Sequence, residues 1–308
     1  MTVIKNITII GLGAIGSVYG NLLQRVSDLN VRVLVDSDRK SRYESEGIFV
    51  NGERLPFAYI TPNEKTEEAD LIIVSVKYSH LPRAIEDIRN QVGKNTVIMS
   101  LLNGITSEEE IAEVYGEDKV VYAISNGIDA TREGTSIFCS NPGKISFGKK
   151  QNETISEKLI AIRECFERAQ IPNDIPANME QVLWYKFMIN VGINQTSAVT
   201  GATYGVFQKI PYARELAKAA MMEVVQLAQL QNIALKERDI DVFFETIISS
   251  LSEEGKPSML QDIEARRFTE VAMFSEKMME LGHRFNIETP VNQMLYQIIK
   301  TLESRFNY

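Results

Sequence analysis

Apolar positions in the first half of the chain come in short, nearly continuous runs. Residues 4–10, 31–36, 71–76, 96–102 and 119–124 are rich in β-branched side chains and end at polar or glycine positions. Runs of this length predict strands buried on both faces, as in parallel sheets covered by helices. Between them the apolar period lengthens to that of a helix over 17–26 and about 82–90. Strand and helix therefore alternate as in βαβ units. Ile48-Phe49-Val50, Asn51-Gly52 and residues 55–60 predict a hairpin, since Asn-Gly suits the positive φ angles of a type I′ turn. Residues 136–140 and 144–148, flanking Asn141-Pro142-Gly143, predict a second.

The pattern changes at Ile171-Pro172-Asn173-Asp174-Ile175-Pro176, where two prolines stop the preceding helix. Beyond Asn178 only helical periods remain, over 179–197, 212–231, 239–251, 258–281 and 291–304. The expected architecture is a doubly wound α/β domain of Rossmann type over 1–173 and an all-α domain over 174–308.

Composition narrows the chemistry. The chain has 308 residues, 44% of them hydrophobic, enough for two ordinary cores. A net charge of −8 argues against nucleic acid and anionic lipid as general partners. Two histidines (His80, His283) and two cysteines (Cys139, Cys165) are too few for His/Cys metal clusters or a disulfide framework. The thiols read as inert, His283 as a helix-end residue, and the Met221-Met222 and Met278-Met279 pairs as core filling. No metal site is expected. Neither a signal-peptide pattern nor an apolar run of about 18 residues occurs, so the expected location is cytoplasmic, without a membrane partner.

Gly11-Leu12-Gly13-Ala14-Ile15-Gly16 is a G-x-G-x-x-G sequence placed after a strand and before a helix, the context in which it binds dinucleotides. Gly11 permits the tight turn, Gly13 admits a pyrophosphate, Gly16 lets helix and strand close up, and the helix start offers N–H groups to phosphate. Asp36, 20 residues after Gly16, is placed to accept from the adenine ribose hydroxyls, which favours NAD. Arg39, Lys40 and Arg42 follow and could offset repulsion of a 2′-phosphate. Lys77 and Asn103-Gly104 end two further strands, where ligands of open α/β sheets lie.

In the second half, Lys186, Asn190 and Asn194 are spaced i, i+4, i+8 on an otherwise apolar helix, forming one polar line. A buried lysine and two amides need partners, and a polar substrate would supply them. With histidines scarce, Lys186 is the leading general acid. Ser258, three residues before Gln261, reads as a helix N-cap. Glu270 reads, from first principles, as an exposed helix glutamate or an ion-pair partner.

Together these residues resemble the ketopantoate reductase family. The resemblance rests on Gly11 to Gly16, Lys77, Asn103-Gly104, Trp184-Tyr185-Lys186 with Asn190 and Asn194, and Ser258-Met259-Leu260-Gln261-Asp262 with Thr269-Glu270. It implies a second domain like the C-terminal domain of 6-phosphogluconate dehydrogenase, and NADPH-linked reduction of 2-dehydropantoate to pantoate on the route to pantothenate. It further implies Lys186 as general acid and Glu270 as an active-site carboxylate near substrate and cofactor. Asn103, Asn190, Asn194 and Ser258 would bind substrate. Gly11 to Gly16, Asp36, Lys77, Asn103, Ala130 and Glu270 would contact the cofactor. Asp36 stands where some members carry an arginine for the 2′-phosphate, which leaves NADP against NAD open. Tyr204 falls near a substrate-binding asparagine of some members, so that contact does not transfer. A related NAD(P)-dependent reductase of another keto acid and a non-catalytic NAD(P)-binding redox sensor are the alternatives. The expected partner is a small keto acid, and a homodimer stays open.

Overall fold

The β-branched runs become strands of one sheet, and glycine or a cap opens the helices between them. The computed structural model describes residues 3–307; Met1, Thr2 and Tyr308, at the outer ends of the two expected domains, lie outside the described residues. In chain order the first half contains β1 (Asn6–Ile10), α1 (Ala14–Gln24), β2 (Asn30–Leu34), α2 (Ser37–Glu46), β3 (Phe49–Val50), β4 (Glu53–Arg54), β5 (Ala58–Ile60) and β6 (Ala69–Val74). It continues with α3 (Leu81–Asp87), β7 (Val92–Ser100), α4 (Ser107–Tyr115), β8 (Val120–Asn126), β9 (Asp129–Glu133), β10 (Ser136–Asn141), β11 (Lys144–Gly148), α5 (Glu157–Arg168) and β12 (Asn173–Asp174).

The large sheet runs β12-β11-β8-β7-β6-β1-β2-β5. β1 lies parallel between β2 and β6, and its last four residues are buried. The chain winds outward from β1 to β2 and β5, then resumes on the other side with β6. The order thus reverses at the β1/β6 edge, where ligands of such sheets bind. A small sheet, β4-β3-β10-β9, carries a second core in which Ile48, Val50 and Ile137 meet Leu12, Val18 and Tyr43.

Both expected hairpins are corrected. Asn51 and Gly52 do adopt positive φ (50° and 83°), but the partner of β3 is Glu53–Arg54, not residues 55–60. Pro56 has no N–H for a ladder. Leu55 and Phe57 turn into the second core, and Ala58–Ile60 join β2 in parallel. Residues 136–140 and 144–148 do not pair with each other. β10 pairs with β9 across Gly134 (φ 59°), while β11 runs antiparallel to β8 in the large sheet.

From Met179 onward the elements are α6 (Met179–Ile189), α7 (Gln195–Thr200), α8 (Tyr204–Lys209), α9 (Pro211–Leu230), α10 (Glu237–Val242), α11 (Ser258–Glu264), α12 (Ser275–Phe285) and α13 (Pro290–Ser304). A π-helical segment, Asn190–Asn194, joins α6 to α7. A second, Phe243–Ile247, follows α10. The single helix expected over 258–281 is broken. α11 ends at Glu264, Arg266 takes φ 51°, and the chain stays non-helical to a short 3₁₀ turn at Val271–Met273. α12 closes on Asn286 in the left-handed region.

Two compact units result. One comprises the residues up to Leu102 with Thr106–Glu180, the other Asn103–Ile105 with the residues from Gln181 on. The division falls beyond 173/174 because β12 still pairs with β11. Among the described residues, no helix is long and apolar enough to cross a membrane. Both thiols are free, and burial pushes that of Cys165 up to about 12.

Candidate active site

Two of the three glycines in the loop meet constraints that only glycine meets. Gly11 has φ 101°, and a Cβ there would lie 2.6 Å from the Ser75 carbonyl. A Cβ on Gly16 would collide with the Gly11 carbonyl oxygen and the Ser75 hydroxyl. Gly13 is open by contrast, with Ser75 O at 3.9 Å the nearest atom to such a Cβ. Gly13 is also the N-cap of α1, which has no side-chain cap and no acidic residue in its first turn. Free N–H groups beside an open backbone fit the diphosphate of a dinucleotide. Two residues that the sequence did not single out hold this loop. Ser75 Oγ donates to Gly11 O (2.7 Å), and the Arg132 guanidinium, on β9 near the half-buried Ala130, donates to Leu12 O. Ser75 is the one hydroxyl in Ile72-Ile73-Val74-Ser75-Val76, which was its only signal.

Asp36 follows β2 and caps α2. Its Oδ1 accepts from Arg39 N (2.7 Å) and its Oδ2 pairs with the Arg39 guanidinium at 3.2 Å. Of the nearby cations, Lys40 pairs with Glu64 (2.8 Å) and Arg42 donates to the Tyr43 hydroxyl at 3.3 Å. Arg132 donates to that same hydroxyl (3.3 Å), and the two guanidinium groups offset the rise that burial imposes, holding the phenol below its ordinary value. Lys77 is exposed, just ahead of a 3₁₀ turn at Tyr78–His80.

Residues of the second unit form two hydrogen-bonded groups. In the first, Asn103 Nδ2 donates to Glu270 Oε2 at 2.9 Å. Glu270 is half-buried in the irregular stretch after α11, so its reading as an exposed helix glutamate is overturned. In the second, Asn194 Nδ2 donates to Asn190 Oδ1 (3.0 Å), and Ser258 Oγ donates to Asn194 Oδ1 (3.0 Å). Ser258 is therefore not an N-cap. Pro257 holds that position, and the serine side chain reaches Asn194 instead.

Lys186 is half-buried in the last turn of α6, with Asn190 and Asn194 at the two ends of the π segment. Widened turns of this kind recur at functional sites. The sequence spacing aligned these residues but gave no sign of the widened turn. Gly192 accommodates it, since a Cβ there would lie 2.5 Å from Met221 Cγ and 2.9 Å from Ala217 O on α9. Asn190 Nδ2 is buried and finds no hydrogen-bond partner among the described residues. An amide donor left so costs about 1–3 kcal/mol, which a bound acceptor would relieve.

Two family models cover most of the chain. "Ketopantoate reductase PanE/ApbA" matches residues 7–152 and "Ketopantoate reductase PanE/ApbA C terminal" matches 178–303. The chain belongs to the ketopantoate reductase family. It is 28% identical over 304 residues to the 2-dehydropantoate 2-reductase of Aquifex aeolicus, covering 96% of each chain. Among solved structures, it resembles the 2-dehydropantoate 2-reductase of Geobacter metallireducens with a TM-score of 0.84 and 25% identity, over 96% of this chain and 99% of that one. The ternary complex of D-mandelate dehydrogenase with NADH and anilino(oxo)acetate has a TM-score of 0.86, covering 98% and 100%; at 21% identity it shows a common fold. The family consists of nicotinamide-dependent oxidoreductases.

Proposed function

We propose that the chain reduces the keto group of 2-dehydropantoate to (R)-pantoate with NAD(P)H. Within the family, the observation that carries this reading is the buried Asn190 Nδ2, without a partner among the described residues, at the head of the Asn194–Ser258 chain. It is a donor in need of a polar ligand, one turn from the only lysine on that helix line.

When bound, the nicotinamide dinucleotide supplies the hydride. The Gly11–Gly16 loop, Ala130 and Lys77 hold it, the loop through backbone N–H groups and Lys77 through its charge. Asn190, Asn194 and Ser258 bind the polar groups of the keto acid. Lys186 donates a hydrogen bond to the carbonyl oxygen as negative charge develops there, then protonates it. Glu270, oriented by Asn103, accepts from the substrate hydroxyl. Asp36, whose carboxylate caps α2 and pairs with Arg39, lies at the ribose end and biases the choice toward NADH.

A second keto acid class is favoured by Tyr204. It places a half-buried phenol, its pKa raised by burial, at the start of α8, where some family members have a substrate-binding asparagine.

Oxidation of NADH and of NADPH, followed with 2-dehydropantoate and with branched and aromatic 2-keto acids, tests the reading. Highest kcat/KM for 2-dehydropantoate supports it, and a higher value for an aromatic acid shifts it to the second class. Dinucleotide binding without turnover of any acid overturns it in favour of a sensor.

A further inference from the structure

The stretch that carries Glu270 has no regular backbone ladder to fix it. α11 stops at Glu264, Arg266 reverses the chain with φ 51°, and residues 267–270 lie outside helix and strand. A side chain on such a segment needs external anchors if it is to be held within about 0.5 Å of a working geometry.

Those anchors come from the end of α13. Glu303 is only 2% exposed. Its Oε1 accepts both from Thr269 N (2.8 Å) and from Thr269 Oγ1 (2.7 Å). Thr269 Oγ1 in turn accepts from Val271 N at 3.3 Å. One carboxylate oxygen therefore holds Thr269 directly, by its N–H and its hydroxyl, and that hydroxyl in turn holds the Val271 N–H on the far side of Glu270. The other oxygen accepts from Lys300 Nζ (2.7 Å), whose pKa the carboxylate raises. The same helix end takes two further contacts. Arg266 donates to the carbonyls of Arg305 and Phe306, 3.1 Å each, and the Phe268 and Phe306 rings meet at 6.2 Å.

We propose that Glu303 is a positioning residue that holds Glu270 toward Asn103, so that the last turn of α13 serves as the mould for the active-site carboxylate. The inference rests on the reading of Glu270 as an active-site group. A buried carboxylate is costly unless its lone pairs are used. Here one oxygen is spent on the Thr269 N–H and hydroxyl and the other on Lys300, none of them a packing contact that an apolar residue could supply. Glu303 reaches Glu270 through Thr269.

The test is a double-mutant cycle between Glu303→Ala and Glu270→Gln, with Glu303→Gln as the conservative rescue. Glu303→Ala is expected to lower kcat for the keto acid about tenfold to hundredfold, the cost of a displaced group. The Kd for NADH, read by fluorescence, should shift much less than kcat, since the glycine loop is untouched and only the contacts expected of Glu270 and Asn103 can move. Glu303→Gln, which keeps an acceptor for Thr269, should recover most of the loss. In the double variant kcat should fall no further than in Glu270→Gln alone. Wild-type kcat in a folded Glu303→Ala protein, or multiplicative losses in the double variant, would overturn the proposal. If Glu303→Ala does not fold, Thr269→Val removes the hydroxyl link, and an unchanged kcat there overturns it equally. Full turnover in Glu270→Gln would instead remove the reading on which the proposal stands.

Discussion

Lys186, Asn190 and Asn194 show how far single residues could be read in advance. Their spacing is visible in the sequence, and the structure puts the two asparagines in hydrogen-bond contact with each other. What spacing could not show is which polar groups remain unpaired, because that depends on every neighbouring side chain. Ser258 illustrates the difficulty: a local rule made it a helix cap, whereas a contact 64 residues away claims its hydroxyl. If Lys186 is the proton donor, Lys186→Ala should lower kcat about 10²- to 10⁴-fold with the fold intact by circular dichroism. Near-native turnover would remove it from that role. Glu108 offers a second test. It is fully buried on α4 beside Ser107 (2.9 Å), and burial pushes its carboxyl up to about 7. Folding therefore favours the protonated form. The stability it confers is complete below about 4.5, declines as pH rises, and is lost above about 7. Glu108→Gln should flatten this slope, leaving the variant's Tm relative to the native protein higher at about pH 8 than at about pH 5. An unchanged slope would show that the carboxyl stays ionised.

Among elements, strands and the glycine turn were the legible part, for a physical reason. A strand buried on both faces announces itself through composition alone, and G-x-G-x-x-G states its own backbone demands. Pairing was less legible. Residues 136–140 and 144–148 look alike in sequence, yet they lie in different sheets, since partners are chosen by what the rest of the chain leaves open. The break at Arg266 was hidden because helical periodicity continues through it. The π segment was hidden because it inserts no unusual residue except Gly192. That glycine supplies the prediction at this scale. Gly192→Ala must displace Met221 or the α9 backbone. Overpacking of this kind costs about 1–3 kcal/mol, measurable as a lower urea midpoint. Because the widened turn carries both asparagines, KM for the keto acid should rise as well. An alanine variant as stable and active as the native protein would show that the close approach to α9 is not needed.

At the scale of the whole molecule, the charge of −8 and the expected ligands are of one sign. If the proposed ligands bind, positive character is concentrated locally, at the α1 start, Lys77 and Lys186, and a nicotinamide would carry the hydride in a chain with two histidines. Under the proposed reading, labour would divide between the two units: backbone N–H groups and a glycine turn in the first, side-chain amides, a lysine and a carboxylate in the second. In the proposed reaction a hydride passes from the nicotinamide to the carbonyl carbon of a 2-keto acid. Its most direct test uses reduced dinucleotide deuterated at C4 of the nicotinamide, with mass spectrometry of the product from 2-dehydropantoate. Pantoate carrying a single deuterium on carbon 2 is expected from the dinucleotide labelled on one face, and none from that labelled on the other. Pantoate without deuterium from either, or no pantoate at all while the dinucleotide still binds, would contradict it.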